Sequence, residues 1–279
     1  MIVLPLHGTN RVLVCDGNAC HERGIAAGTA RAFGQLAEPV VGGGGWADFA
    51  IVFDSKGNSL VRVGDVVSPG PTIECFGIRD VAFASDARRF AVAFDTDSWY
   101  SNGQIALFDV QPDGRLDRRS FTFDSRDCFL IDAAALSPDG THLAAAGLDI
   151  TFSSVGDWNY GQIEKVFVVD IARSMTVLDL VVGETDTPSQ HRRTPVALGR
   201  HVWFCDNVPL VPDANRDEAL ECLAIAVADD GALIALTTDR LYIYLDEQRV
   251  AEHVVNATSF AIVGERIVVA GDQLNLIAR

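Results

Sequence analysis

One pattern recurs along the whole chain and restricts its fold more than anything else. A short apolar strand ends in Asp, follows a tight turn, and is often followed by another strand. The recurrences are Arg11-Val-Leu-Val-Cys-Asp16, Leu60-Val-Arg-Val-Gly-Asp65, Phe90-Ala-Val-Ala-Phe-Asp95, Leu143-Ala-Ala-Ala-Gly-Leu-Asp149, Val202-Trp-Phe-Cys-Asp206, Leu233-Ile-Ala-Leu-Thr-Thr-Asp239 and Ile267-Val-Val-Ala-Gly-Asp272. Seven units over 279 residues give about 40 residues each, close to the ~40–45 of a four-stranded repeat unit. Long helical periodicity is nearly absent, and short apolar runs separated by turn residues predict an all-β chain.

The turns agree. Ser137-Pro138-Asp139-Gly140 and Asp229-Asp230-Gly231 stand between apolar runs, where Asp-Gly supplies the positive φ of a tight hairpin. Gly8-Thr9-Asn10, Lys56-Gly57-Asn58, Gly199-Arg200 and Gly264-Glu265 are expected at the same place in other units. Third strands are read at Ile105–Asp109, Val166–Asp170, Leu241–Asp246 and Leu274–Ile277. Met1–Leu6 is either the first strand of unit one or a fourth strand for the last unit, and residues 24–38 have room for a short helical turn.

With these units the chain resembles the WD40-like (YVTN-like) β-propeller superfamily. The resemblance covers nearly the whole chain and is most specific from Ile131 to Ile171, where Ala-Leu-Ser-Pro-Asp-Gly-Thr-His-Leu-Ala-Ala-Ala-Gly runs into Val-Phe-Val-Val-Asp-Ile. It implies one domain over residues 1–279, an all-β propeller of seven blades of mostly four antiparallel strands. In such a blade the loops after the second and fourth strands lie on one face. Residues 95–104, 149–164, 40–48, 124–130, 183–195 and 211–218 are expected there, and loops on a rigid scaffold are where binding residues gather.

Two of these loops are alike. Ser98-Trp99-Tyr100-Ser-Asn-Gly-Gln-Ile105 and Asp157-Trp158-Asn-Tyr160-Gly-Gln-Ile163 both place Trp and Tyr before Gly-Gln-Ile. Trp and Tyr are frequent interface anchors, so Trp99, Tyr100, Trp158 and Tyr160 are candidate partner-binding residues, with Trp46 as a fifth. Packing of the same aromatics against the neighbouring blade is the competing reading. For the Asp residues after the second strands, capping of the following turn stands against an acidic ring that attracts a basic partner.

Charge narrows the partner class. With 22 Lys plus Arg and 38 Asp plus Glu the net charge is 22 − 38 = −16. This leaves no basic excess for phosphate backbones, so nucleic acid is not an expected partner. No apolar run reaches the ~18 residues of a membrane helix. The first residues lack the basic start of a secretory signal, so a cytoplasmic protein is expected. Cys15, Cys20, Cys75, Cys128, Cys205 and Cys222 show no regular spacing and are expected as buried free thiols. Only Lys56 and Lys165 are lysine, an arginine bias that fits a GC-rich bacterial genome.

Familiar catalytic motifs are missing from the sequence. There is no Gly-x-x-x-x-Gly-Lys-Ser/Thr, no Gly-x-Ser-x-Gly and no His-Glu-x-x-His. Cys15, Cys20 and His21 match no zinc spacing, and Asp95-Thr-Asp97 departs from a calcium loop at Trp99. The expectation is therefore a non-enzymatic protein-binding module, monomeric when free, with no catalytic residue, metal or cofactor. It would bind a basic protein through its loop-rich face, in one form as a bacterial immunity protein that neutralises a toxin. Two other readings stay open: a metal-dependent hydrolase of lactonase type, with Glu22, Glu74 or Asp48 converging at the axis, and a scaffold subunit of a larger bacterial assembly.

Overall fold

A computed structural model describes residues 1–25, 30–96, 103–122, 128–152, 160–185, 195–199, 202–204, 222–246 and 248–279. Among them it contains strands and turns and no helix. The strands pair in chain order as antiparallel meanders. The first is β1 (Ile2–His7), β2 (Arg11–Asp16), β3 (Ala19–Gly24) and β4 (Ala30–Gln35). The second is β5 (Val40–Trp46), β6 (Phe49–Asp54), β7 (Ser59–Val63) and β8 (Val66–Pro69). These two share one eight-stranded sheet, because β1 and β5 pair in parallel at Leu6–Gly45 and His7–Trp46. Next come β9 (Gly77–Phe83), β10 (Arg89–Asp95), β11 (Gln104–Val110) and β12 (Leu116–Thr122), then β13 (Cys128–Leu136), β14 (His142–Phe152), β15 (Tyr160–Asp170) and β16 (Met175–Thr185). A pair, β17 (Val196–Leu198) and β18 (Val202–Phe204), is followed by β19 (Cys222–Val227), β20 (Leu233–Thr237), β21 (Arg240–Leu245) and β22 (Gln248–Val254). The last sheet is β23 (Ala257–Val263), β24 (Arg266–Gly271) and β25 (Leu274–Ala278).

The first strands of these units, β1, β5, β9, β13, β17, β19 and β23, each lie beside the next, and β23 returns to β1. The ring is joined there by side chains. The Val3 N–H donates to Ser259 Oγ at 3.0 Å and Thr258 Oγ1 donates to the Met1 carbonyl at 3.1 Å. Of the two places open to Met1–Leu6, the structure selects the first strand of unit one.

Between adjacent sheets lies the core. Phe49, Phe53, Phe90, Phe94 and Phe108 fill one such interface, with the Phe90 and Phe108 rings 4.7 Å apart; each well-placed aromatic pair adds about 1 kcal/mol beyond its area. Since neighbours cover both faces of a sheet, β6 and β20 are buried at every residue. That explains why second strands read as continuous apolar runs rather than as alternation.

Five expectations are corrected. In unit two the second strand is Phe49–Asp54 and Leu60–Val63 falls within the third, so Lys56-Gly57 is the turn between them. Residues 40–46, expected as a loop, form β5, an inner strand containing Gly42–Gly45. Packing explains the glycines: a Cβ on Gly45 would lie 2.1 Å from the Phe49 carbonyl oxygen and one on Gly43 2.4 Å from that of Ile51. The long loop expected over 149–164 is shorter, since β14 runs on to Phe152 and β15 begins at Tyr160. Finally, Cys15 and Cys20 are not free thiols: they face each other across the β2–β3 hairpin and form a disulfide. Cys222 is also disulfide-bonded, and Cys75 is free. Within 24–38, where a helical turn had room, Ala30–Gln35 form β4.

Candidate functional site

The ring has two faces and an axis, and the chain treats the faces differently. Each first strand enters from one face, to which the connection after the second strand also returns. The described strands β10, β12, β14, β16 and β18 therefore end on that face, and β11, β13, β15, β17 and β19 start from it. The turns between first and second strands, on the other face, are tight. In Ser137–Gly140 the Gly140 N–H donates to the Ser137 carbonyl at 2.8 Å, with Gly140 at φ +67°. Asp139 accepts from Ser137 Oγ at 2.6 Å and from the Thr141 N–H at 3.0 Å, and these bonds hold its carboxyl below its ordinary value.

Of the expected partner-binding residues, Trp99, Tyr100 and Trp158 lie outside the described residues. Tyr160 opens β15, paired with Phe152. Trp46 does not join those loops. It ends β5 at the opposite face, 8% exposed, with its ring against Phe49 and Phe83 and beneath the Arg88 guanidinium. Its indole N–H has no hydrogen-bond partner.

The aspartates that end second strands are mostly engaged within the fold. Asp54 accepts from the N–H groups of Lys56 and Asn58, both at 2.9 Å, the expected turn cap. Asp95 meets Arg79 Nε at 2.5 Å. Burial pushes the Asp95 carboxyl up, against the pull of Arg79. Asp149 meets Lys165 Nζ at 2.8 Å. Asp16, Asp239 and Asp272 are exposed, and Asp206 lies outside the described residues.

At the axis the first strands enclose a cavity of about 410 Å³. Its walls are mainly apolar, with Ala133–Ala135 among them. Among its ionisable groups, Asp80 is tied to backbone: it accepts from the Val81 N–H at 2.9 Å and from the Ala134 N–H of the next sheet at 3.0 Å. Burial lowers His7 from 6.5, although Asp229 and Asp86 oppose it. Glu22, Asp48 and Glu74 do not line the cavity and do not converge. Glu22 meets Arg11 and Arg62, Asp48 meets Arg88, and Glu74 is exposed. Among the described residues no group of three His, Cys, Asp or Glu is placed to hold a metal.

A closed ring of radial antiparallel sheets around an axial cavity is a β-propeller. No family model matches the sequence, and no curated protein does. Solved structures do match. The Cps50 (Swd1) β-propeller domain of Myceliophteria thermophila shares 11% identity over 99% of this chain and 94% of that one, with a TM-score of 0.64. Saccharomyces cerevisiae Sqt1 shares 12% over 99% and 95%, with a TM-score of 0.57. A chain of the mitotic checkpoint complex shares 10% over 100% and 87%, with a TM-score of 0.54. At this level of identity the likeness is one of fold, and the β-propeller read from the repeats holds.

Proposed function

We propose that this protein is a non-enzymatic interaction module, a seven-bladed ring that binds a basic protein partner through its loop-rich face. The observation that carries this reading is that the described strands flanking the long connections end and begin on one face of a closely packed ring, opposite a face of tight turns. The net charge of −16 supports a basic partner, since a focused acidic field speeds and steers encounter with positive charge. The similar chain in the mitotic checkpoint complex supports partnership with protein. In its specific form the reading is an immunity protein whose partner is a basic toxin. Trp99, Tyr100, Trp158 and Tyr160 are the proposed anchors.

The test is retention of partners from the native lysate by the purified protein, at low and high salt, followed by binding with Trp99→Ala and Trp158→Ala. One basic protein that leaves at high salt is expected. Each variant at a true anchor weakens binding by about 2 kcal/mol, or about 30-fold. A partner whose affinity ignores both substitutions and salt would move the interface elsewhere.

A further inference from the structure

The axial cavity runs the length of the first strands. Its lining begins with residues such as Ile2, Ala133 and Thr258 and reaches the tight turns at Gly8, Pro138 and Asp229. Among the described residues its ionisable members are His7, Asp80 and Asp229, and no Lys or Arg lines it. Asp80 is bonded to backbone. His7 and Asp229 stand at the tight-turn end, one from the first unit and one from the sixth. Asp86, in the turn of the third unit, joins them: it and Asp229 both act on the His7 ring.

The fold makes little use of these three groups. Asp86 accepts from Ser85 Oγ at 3.0 Å. Among the described residues neither Asp86 nor Asp229 has an ion-pair partner, and the His7 ring makes no hydrogen bond. The described basic groups of the neighbouring turns are placed elsewhere. Arg11 meets Glu22, Arg88 meets Asp48 and Arg89 meets Asp109. Arg266 follows Glu265, an equal and opposite charge, and neither lines the cavity. Asp230 is held by Arg279 at 3.0 Å, and Asp139 by its own turn. A bare metal ion finds no set of three ligands among the described residues. This end therefore offers a cation two exposed carboxylates in front of an apolar bore.

We propose that the axial cavity binds a small protonated amine with an extended apolar body, its ammonium beside Asp86 and Asp229 at the tight-turn mouth and its body in the bore. A volume of about 410 Å³ lies within the ~300–1,000 Å³ of small-molecule sites, which pair apolar walls with a few placed polar groups. The apolar body needs no polar partner along the walls. The ammonium stays at the wet rim, where a charge-assisted bond to carboxylate costs little desolvation. His7, neutral at pH 7 because burial lowers it from 6.5, adds a ring nitrogen as acceptor. A lysine side chain of a protein partner carries the same head, but its four-carbon stem leaves most of a bore lined by strands of six and seven residues unfilled. This site opens opposite the loop-rich face and does not depend on the reading of that face.

The test uses the full chain and n-octylamine at pH 7, with calorimetry and residue-resolved amide chemical shifts. Binding is expected, with shifts at Gly8 and Asp229. 1-Octanol has the same chain without the charge and should bind at least tenfold more weakly; octanoate, with the opposite charge, should bind more weakly still. Asp86→Asn with Asp229→Asn should weaken octylamine at least tenfold and leave octanol unchanged. Ala226→Phe, at a half-buried place in the wall, should weaken both; the asparagine pair lies on exposed turns and keeps the test independent of whether that variant folds. Trp99→Ala with Trp158→Ala should change neither ligand, which separates this site from the loop face. No binding of octylamine, equal binding of octanol, or indifference to the asparagine pair would overturn the proposal. Nα-acetyl-lysine amide binding as tightly as octylamine would also overturn it, in favour of a lysine from a protein partner.

Discussion

Glu22 on β3 and Arg62 on β7 face each other across the first two meanders, 3.5 Å apart and each with a side chain only 5% exposed. Arg11 also reaches Glu22, at 2.8 Å, and Arg62 donates to the Gly64 carbonyl at 2.6 Å. The pair is buried, so its members depend on one another. Removing one leaves an uncompensated charge out of water, which costs ~3–5 kcal/mol. Glu22→Ala should therefore destabilise the ring by about that much. Glu22→Ala combined with Arg62→Met should recover part of the loss. Urea unfolding of the single and double variants measures both.

Gly45 is a steric prediction. The 2.1 Å approach of its absent Cβ to the Phe49 carbonyl leaves no side chain to repack, only backbone. Gly45→Ala should abolish folding or cost more than the ~1–3 kcal/mol of ordinary overpacking. Gly17→Ala is the comparison. Its Cβ meets open space, so only the φ of +60° is at issue, and the cost should stay near 1 kcal/mol. Thermal melts of the two variants rank them.

Acid stability should depend on Asp109. Burial alone would raise its carboxyl, but hydrogen bonds from Arg89 at 2.6 Å and Arg119 at 3.0 Å outweigh it and hold the group below 3.8. A depressed folded value gives stability that is present above the unfolded value and lost as pH falls through the folded one. The loss attributable to Asp109 should appear below pH 3.8. Asp109→Asn should lower stability at pH 7 and flatten that limb. Asp95 works with the opposite sign: burial raises it, so its contribution falls as pH climbs above 3.8. Urea midpoints against pH resolve the two.

The Cys15–Cys20 disulfide spans a sequence separation of 5. So short a loop restricts the unfolded chain little, by about 2 kcal/mol on the chain-entropy estimate. Reduction should lower the free energy of unfolding by roughly that amount without opening the ring. A cytoplasmic location predicts the dithiol in cells, because disulfides persist in oxidising compartments. Thiol trapping in intact cells reads which form is present.

Some elements were legible in the sequence because their signals are local. Ser137–Gly140 makes its turn with its own side chains, and Val166–Asp170 needs only a run of apolar residues to read as a strand. β5 was not legible, since four consecutive glycines oppose a strand by propensity. They are explained only by how closely β6 and β9 approach, as at Gly42, where a Cβ would lie 2.8 Å from Val81 Cγ2. The unit-two strand register followed from that miss. The disulfide hid for a related reason: Cys15 meets Cys20 through the β2–β3 register, not through any spacing rule. As for the site, Trp46 reads as an anchor by residue type and is a packing residue by position.

The joint between β1 and β23 has a mechanical consequence. Among the described residues only the first two meanders are continuous through a backbone ladder, whereas this joint is closed by two side-chain bonds and packing around Val3, Val12 and Val268. The other joints between sheets likewise have no ladder across them, so the molecule is built like a ring of separate wedges pressed together. Thermal breathing that parts two such wedges breaks no strand pair. It changes the bore of the axial cavity while each blade keeps its shape.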